Sequence, residues 1–262
     1  MLKLIQYDDE YYSLVDIKDR KDNRKALKFV EGSIDWFEDS ISGMFADNRF
    51  KEDKITDDLE IARISRSRAI RKIQEYARAN DFDYFVTLTV AKESGDRYSL
   101  EFTQDLIRET FQKIRKYNSY HSLEKPQYII VTEKHQDGAF HFHGLVKNIE
   151  LYKNEYGYLS CKFFDDIGFN SFSPIRDKRK CANYILKYIT KDNIQSESGY
   201  YYFCSKGLKK ATEFIVNGDI DFDYLFGDEY YHNEFVRKKD FNFSDLTQLQ
   251  KLCILNLDYK SK

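Results

Sequence analysis

Two short apolar segments joined by a turn sequence constrain the fold more than any other feature of this chain. The segments "QYIIVTE" (127–133) and "AFHFHGLV" (139–146) are rich in β-branched and aromatic residues, and "KHQDG" between them is typical of a turn. This pattern predicts an antiparallel β-hairpin. Because strand side chains alternate between faces, His141 and His143 must project from one face, about 7 Å apart.

Segments on both sides of the hairpin predict an α+β domain. "YFVTLTV" (84–90) has the composition of a buried strand, 151–175 of a further hairpin or irregular β segment, and "YYFCSKGL" (201–208) of a returning strand. Apolar residues recur at helical spacing in 99–120 and 177–192. The order strand, helix, strand, strand, helix, strand predicts a central antiparallel sheet with helices packed on it, a ferredoxin-like split βαβ arrangement.

The chain is expected to have three parts. An N-terminal extension (1–80) ends in a basic amphipathic helix over 55–80, a core domain follows (81–210), and a C-terminal extension (211–262) completes the chain. Both extensions are expected to be mainly helical. The arginines of the basic helix either contact a DNA backbone or form a solvated face.

Composition excludes several classes of protein. Hydrophobic residues make up 42% of the 262 residues and prolines number only 2, which argues against a disordered chain. No apolar run is long enough to span a membrane and the start lacks a signal-peptide pattern, so a cytoplasmic protein without a membrane partner is expected. The 4 cysteines form no CxxC pair, which argues against a zinc ribbon or a disulfide framework.

Charge is unevenly distributed although the formal net charge is only −2. Residues 61–211 contain 26 Lys and Arg against 18 Asp and Glu, whereas 1–60 and 212–262 are both acidic. A basic centre fits a polyanion bound by one part of the chain, although such an imbalance is equally typical of a solvated surface.

The histidine strand predicts a metal site. In the hairpin, Glu133 lies across from the strand that carries His141 and His143. Two imidazoles and a carboxylate suit a divalent ion that keeps positions open for substrate oxygen. The alternative is a pair of surface histidines on an exposed strand. His135 and Asp137 are interpreted as turn residues rather than ligands.

Two tyrosines on the second predicted helix suggest nucleophilic chemistry. Tyr184 and Tyr188 are one turn apart and share a face, and each is followed three residues later by a lysine, Lys187 and Lys191. A phenol needs a cation or a base to react as a phenolate near neutral pH. The alternative is that the tyrosines only pack the helix, in a chain that contains 21 of them.

Taken in order, "FVTLTV", Glu133 with "HFHGLV", and "YILKYITK" resemble the three motifs of the HUH endonucleases, the rolling-circle replication initiators of plasmids, single-stranded DNA phages and small circular DNA viruses. HUH denotes histidine, hydrophobic residue, histidine, here His141, Phe142 and His143. The trailing "CSKGL" is also similar to sequence that follows the tyrosine motif in such initiators. The resemblance covers about residues 82–208.

The resemblance implies a reaction. Glu133, His141 and His143 would hold Mg²⁺ or Mn²⁺, and a tyrosine would attack a phosphate of single-stranded DNA at an origin hairpin, leaving a 5′-phosphotyrosine link. The spacing of Tyr184 and Tyr188 resembles the two-tyrosine class, and both remain open as the first nucleophile. Lys187 and Lys191 would position phosphate or neutralise its charge.

The resemblance also implies partners and DNA contacts. A host polymerase would extend the freed 3′-hydroxyl and a host helicase would unwind the duplex, in the cytoplasm of a bacterium carrying the phage or plasmid that encodes the chain. Thr87 and Thr89 either touch DNA or support the metal-binding strand. The other expected DNA contacts form one basic run, Arg176, Lys178, Arg179 and Lys180.

Three other functions compete with this interpretation. An HUH transposase or relaxase is the nearest, although relaxases usually have a third histidine in place of Glu133 and an N-terminal tyrosine. A non-catalytic DNA-binding regulator of the same fold would not need the metal ligands or tyrosines. A metal-dependent hydrolase would use water as its nucleophile and form no covalent adduct.

Overall fold

The computed structural model describes residues 1–17, 55–190, 201–233 and 236–261. The chain divides into two compact units, one of residues 1–68 with 210–262 and one of residues 69–209. In the described ranges the strands are β1 (Leu2–Gln6), β2 (Tyr11–Ile17), β3 (Tyr84–Val90), β4 (Gln127–Lys134), β5 (Phe140–Lys147), β6 (Tyr152–Lys153), β7 (Leu159–Ser160), β8 (Gly168–Pro174), β9 (Tyr202–Cys204), β10 (Thr212–Asn217), β11 (Tyr231–His232), β12 (Val236–Asn242) and β13 (Asp258–Ser261). The helices of the same ranges are α1 (Ile55–Ala79), α2 (Leu100–Tyr120), α3 (Lys162–Asp165), α4 (Lys178–Tyr184), α5 (Lys187–Thr190), α6 (Phe222–Phe226) and α7 (Gln248–Leu255).

The unit formed by residues 69–209 is built on a seven-stranded sheet. Its strand order is β6-β7-β8-β3-β5-β4-β9, and every neighbouring pair is antiparallel. The predicted α+β class with an antiparallel sheet is therefore confirmed. The β segment expected within 151–175 forms the short β6–β7 hairpin and β8.

Alternation along β3 separates a buried face from a second face. Val86, Leu88 and Val90 are buried in the main core, together with Ile107 and Phe111 of α2. Burying these side chains stabilises the unit by about 25 cal/mol for each Å² of apolar surface removed from water. The intervening residues of β3 project from the opposite face of the sheet.

The predicted hairpin is confirmed as β4 and β5. Its turn closes through two backbone hydrogen bonds, from His135 N to Ala139 O at 2.8 Å and from Gly138 N to His135 O at 2.9 Å. Gly138 has a φ of +88°, which a residue without a side chain adopts readily. His135 and Asp137 lie in this turn, as predicted.

The segment predicted as one helix over 177–192 contains two short helices. Asp177 caps α4 by accepting a hydrogen bond from Lys180 N at 3.0 Å. After α4 the backbone changes to tighter bonds between residues three apart, from Leu186 N to Asn183 O and from Tyr188 N to Ile185 O. The single-helix prediction is wrong at this turn, where Ile185 and Leu186 are both buried. Residues 191 and 192 lie outside the described residues.

The described terminal segments form a second sheet. Its six strands have the order β11-β12-β2-β1-β10-β13, and Leu2 of β1 lies opposite Val216 of β10. The prediction of mainly helical extensions is therefore wrong. The physical reason is that each strand obtains its hydrogen-bond partners from a distant part of the chain, which local periodicity does not reveal. The core of this sheet contains Leu14 and Phe222.

The basic helix predicted over 55–80 is confirmed as α1. Within its described side chains, Ile70 and Ile73 are buried while Arg68 and Arg71 are exposed. Asn80 ends the helix by donating to Tyr76 O at 2.9 Å. In the described part of the chain no helix, α1 included, is long and apolar enough to cross a membrane.

The close approach of β4 to β5 at Gly144 can be tested. A Cβ at this position would lie 2.4 Å from Ile130 Cδ1 and 2.5 Å from the carbonyl oxygen of Ile129. We therefore expect Gly144→Ala to lower the free energy of unfolding by about 1–3 kcal/mol in urea denaturation, as overpacking does. At an unhindered site the same substitution stabilises by about 0.4–1 kcal/mol. An unchanged or higher stability would thus contradict the contact.

Candidate active site

The register of β4 and β5 brings the predicted metal ligands to one face of the sheet. Glu133 lies directly opposite His141, and His143 lies opposite Val131 on the same face. His143 Nε2 and Glu133 Oε2 are 2.9 Å apart. Both side chains are largely buried, with side-chain exposures of 9% for His143 and 11% for Glu133, so their hydrogen bond is shielded from water.

Two threonines of β3 hold the histidines from the other side. Thr87 lies opposite His143 and Thr89 lies opposite His141. In each pair the threonine Oγ1 is 3.3 Å from the imidazole Nδ1. Of the two roles predicted for these threonines, their position is that of supports for the histidines.

The Glu133 and His143 pair is compatible with a shared divalent cation. Adjacent ligands of an octahedral ion with bonds of about 2.1 Å lie about 3.0 Å apart, close to the observed separation. Metal binding uses the Nε2 lone pair, so Nδ1 must then carry the ring proton. The hydroxyl of Thr87 can accept that proton, because a hydroxyl both donates and accepts.

His141 stands apart from this pair. Across the described residues, no group of three or more histidine, cysteine, aspartate or glutamate side chains is arranged to hold a metal ion. Two of the three predicted ligands are thus within donor distance, and the third shares their face. Burial lowers the pKa of His141, and the nearby charge of His135 lowers it further. The neutral form favoured by this shift is the one that binds metal.

The turn residues contact the site more closely than the sequence indicated. The ring of His135 stacks on that of His141, with centroids 4.8 Å apart. Asp137 lies 3.3 Å from His135 Nδ1 and 3.0 Å from Arg97 Nη2. A hydrogen bond from Ala139 N is the main reason that the pKa of Asp137 is lowered, and the Arg97 charge adds to it. The available signal was that His135 and Glu133 are two residues apart and so share a face.

Both predicted tyrosines lie beside the histidines. The ring of Tyr188 stacks on His143 with centroids 3.6 Å apart, and its hydroxyl donates to that of Tyr184 at 2.9 Å. Burial raises the pKa of Tyr188, as does the bond to Tyr184. Tyr184 is 43% exposed. The two phenols therefore differ in their access to a substrate.

Phe85 and Lys187 complete the surroundings of the tyrosines. Phe85 packs edge-on against Tyr184, at 5.3 Å between centroids, and also contacts Tyr188 and His143. Sequence reasoning missed Phe85, although it shares a face of β3 with Thr87. Lys187 Nζ lies 5.0 Å from the centre of the Tyr184 ring, which brings a cation to that phenol. Lys191 lies outside the described residues.

The predicted DNA-contacting basic run surrounds the start of α4. Lys178 pairs with Asp81 at 2.8 Å, and Lys180 lies 3.6 Å from Asp177. Arg176 and Lys180 are exposed, whereas Lys178 and Arg179 are half-buried. At 1.5 Å per residue, α4 separates Lys178 from Tyr184 by about 9 Å. The run and the tyrosines are thus at opposite ends of one short helix.

Comparison with known proteins supports a role in replication. Residues 83–193, less than half of the 262-residue chain, match the family model of the replication-associated protein ORF2. The match supports a replication initiator of the Rep type and so a role in replication initiation. Glu133, both histidines and both tyrosines lie within the matched range. Comparisons with curated proteins and with solved structures found no match.

Proposed function

We propose that this chain initiates rolling-circle replication by nicking and rejoining single-stranded DNA at an origin through a covalent 5′-phosphotyrosine intermediate. The main supporting observation is that the two tyrosine hydroxyls lie next to the His143 and Glu133 pair, with Tyr188 stacked on His143. The match to a replication-associated family supports the initiator role. A water-dependent hydrolase would not require either phenol at this place.

Glu133, His141 and His143 would hold a Mg²⁺ or Mn²⁺ ion. When bound, the ion would supply positive charge that polarises an oxygen of the scissile phosphate. Thr87 and Thr89 keep both imidazoles oriented through Nδ1, so that Nε2 faces the ion. The protein therefore contributes ligand orientation before any DNA is bound.

The reaction is a balanced exchange of phosphate esters. A tyrosine Oη forms a bond to phosphorus as the bond from phosphorus to the 3′ oxygen breaks. The phenolic proton is lost and the departing 3′ oxygen gains one, so no co-reactant is consumed. The energy of the broken ester is retained in the phosphotyrosine, which allows a later 3′-hydroxyl to reverse the step. That freed hydroxyl is the end a host polymerase would extend, with unwinding left to a host helicase.

Tyr184 is the first nucleophile in this proposal. Its ring is the more exposed of the two, and its hydroxyl accepts a hydrogen bond from Tyr188 that would strengthen as negative charge develops on the oxygen. Lys187 adds a nearby cation. Once Tyr184 is esterified, Tyr188 is the remaining hydroxyl beside the linkage and can attack the regenerated origin to close the circle.

A covalent-adduct assay tests the nucleophile. A labelled single-stranded hairpin library would be incubated with Mn²⁺ and analysed on denaturing gels. We expect Tyr184→Phe to abolish the first adduct. Tyr188→Phe should slow its formation about 10- to 100-fold, because a hydrogen bond to a charged group contributes about 1.5–3 kcal/mol.

The matched control is Tyr120→Phe, since Tyr120 lies exposed on α2 and is not part of the site. Loss of the adduct only in Tyr188→Phe would reverse the assigned order. Cleavage without an adduct, retained when both tyrosines are replaced, would instead identify a hydrolase. Binding of a library containing the origin without any cleavage would identify a regulator. A chelator should abolish the adduct in every active variant.

The role of the threonines is tested by metal affinity alone. Thr87→Val and Thr89→Val each remove the hydroxyl that orients an imidazole, and we expect the Kd for Mn²⁺ in calorimetric titration to rise about 10- to 100-fold. Thr132→Val is the matched control, because Thr132 also lies in this sheet, next to Glu133, but bonds to Gln104 on the opposite face. Unchanged Mn²⁺ affinity in both folded variants would contradict this role.

A further inference from the structure

Among the described residues, the face of the sheet that carries the site is covered on one side only. Helix α5 packs against β4, and Tyr188 lies over His143 of β5. On the other side of the histidines, β3 pairs with β8, where Phe169 is 53% exposed. The open approach to the site is therefore from β8.

Phe169 stands in line with the predicted ligands. It lies opposite Thr89, which lies opposite His141, which lies opposite Glu133. With neighbouring strands about 4.8 Å apart, two strand spacings place Phe169 about 10 Å from His141. A ring at this distance can contact a base within a few nucleotides of the scissile phosphate.

Both neighbours of Phe169 fix its backbone. At Gly168 (φ +149°) an added Cβ would lie 2.2 Å from the carbonyl oxygen of Thr89, so β8 approaches β3 closely there. Asn170 is buried, accepts from Cys161 N at 2.7 Å and donates to Asp165 at 2.9 Å. An exposed aromatic ring on such an anchored strand is preorganised for stacking, which lowers the entropy lost on binding.

The residues that follow Phe169 on the same face suit a nucleic-acid backbone. Ser171 lies opposite Thr87 and Ser173 lies opposite Phe85. Their small hydroxyl side chains can donate to phosphate oxygens. Arg176, which is exposed, follows just after β8. We refer to Phe169, Ser171 and Ser173 as the β8 strip.

Building on the nicking function proposed above, we infer that single-stranded DNA lies along the β8 strip, with a base stacked on Phe169 and its backbone directed towards Arg176. Stacking on an aromatic ring tolerates any base, because every base has a π face. The strip thus positions the strand for attack without itself reading sequence.

Equilibrium binding tests this inference separately from catalysis. Fluorescence anisotropy with labelled (dT)20 measures affinity without requiring an origin. We expect Phe169→Ala to raise the Kd about 5- to 150-fold, which is the range for loss of one stacked base. Phe169→Leu should lose most of the same affinity, because leucine keeps apolar area but has no π face. Tyr120→Ala, which removes an exposed aromatic ring from α2, should leave the Kd unchanged.

Phe169→Trp gives a direct measure of stacking. We expect near wild-type affinity and quenching of the new indole fluorescence by (dT)20, after subtraction of the wild-type signal from the single native tryptophan. Absence of quenching, or wild-type affinity in Phe169→Ala, would overturn the inference and favour a protein partner for this surface. Failure of wild type to bind (dT)20 would also overturn it. Loss of adduct formation with the β8-strip effects intact would instead count against the nicking function alone.

Discussion

The pairing of β4 with β5 is the interaction on which the candidate site depends. Its register sets Glu133 opposite His141 and places His143 on the same face. Because side chains alternate along a strand, a slip of one residue would turn both imidazoles into the apolar core and bring Phe142 to the site face. Phe142 is completely buried in the native register, so such a slip would also remove a large side chain from the core. The burial of Phe142 and the orientation of the histidines are thus enforced by the same contacts.

The surrounding strands turn this register into an organised centre. β3 pairs with β5 on the side away from β4 and brings a threonine to each imidazole. A hydroxyl serves either tautomer, so the imidazole of His143 can bond to Glu133 or present Nε2 to a cation without losing its support. The short helices α4 and α5 then bring two phenols to the same face. The tighter turn between them retains the neighbouring placement that a regular helix would give residues four apart.

Local patterns predicted much of the unit formed by residues 69–209. The hairpin, the strand 84–90 and the helix 99–120 were predictable because apolar periodicity and turn residues act over a few neighbouring positions. The same reasoning failed for the extensions, where β1 pairs with β10 from the far end of the chain. It also missed the turn at Ile185 and Leu186, which interrupts a segment with uniform helical spacing. In the site, the shared face of Glu133 and the histidines followed from alternation, whereas the stacking of Tyr188 on His143 had no local signal.

The sequence by itself determined which side chains of each strand share a face, because backbone geometry imposes that alternation whatever the strand's partners. It therefore also determined that the histidines, and separately the tyrosines, would each act as a pair. Only the tertiary structure decided which pairs meet, how the two phenols differ in exposure, and which side of the site stays open at Phe169. Those outcomes depend on contacts between residues far apart in the chain, whose free energy is gained only when the whole sheet assembles.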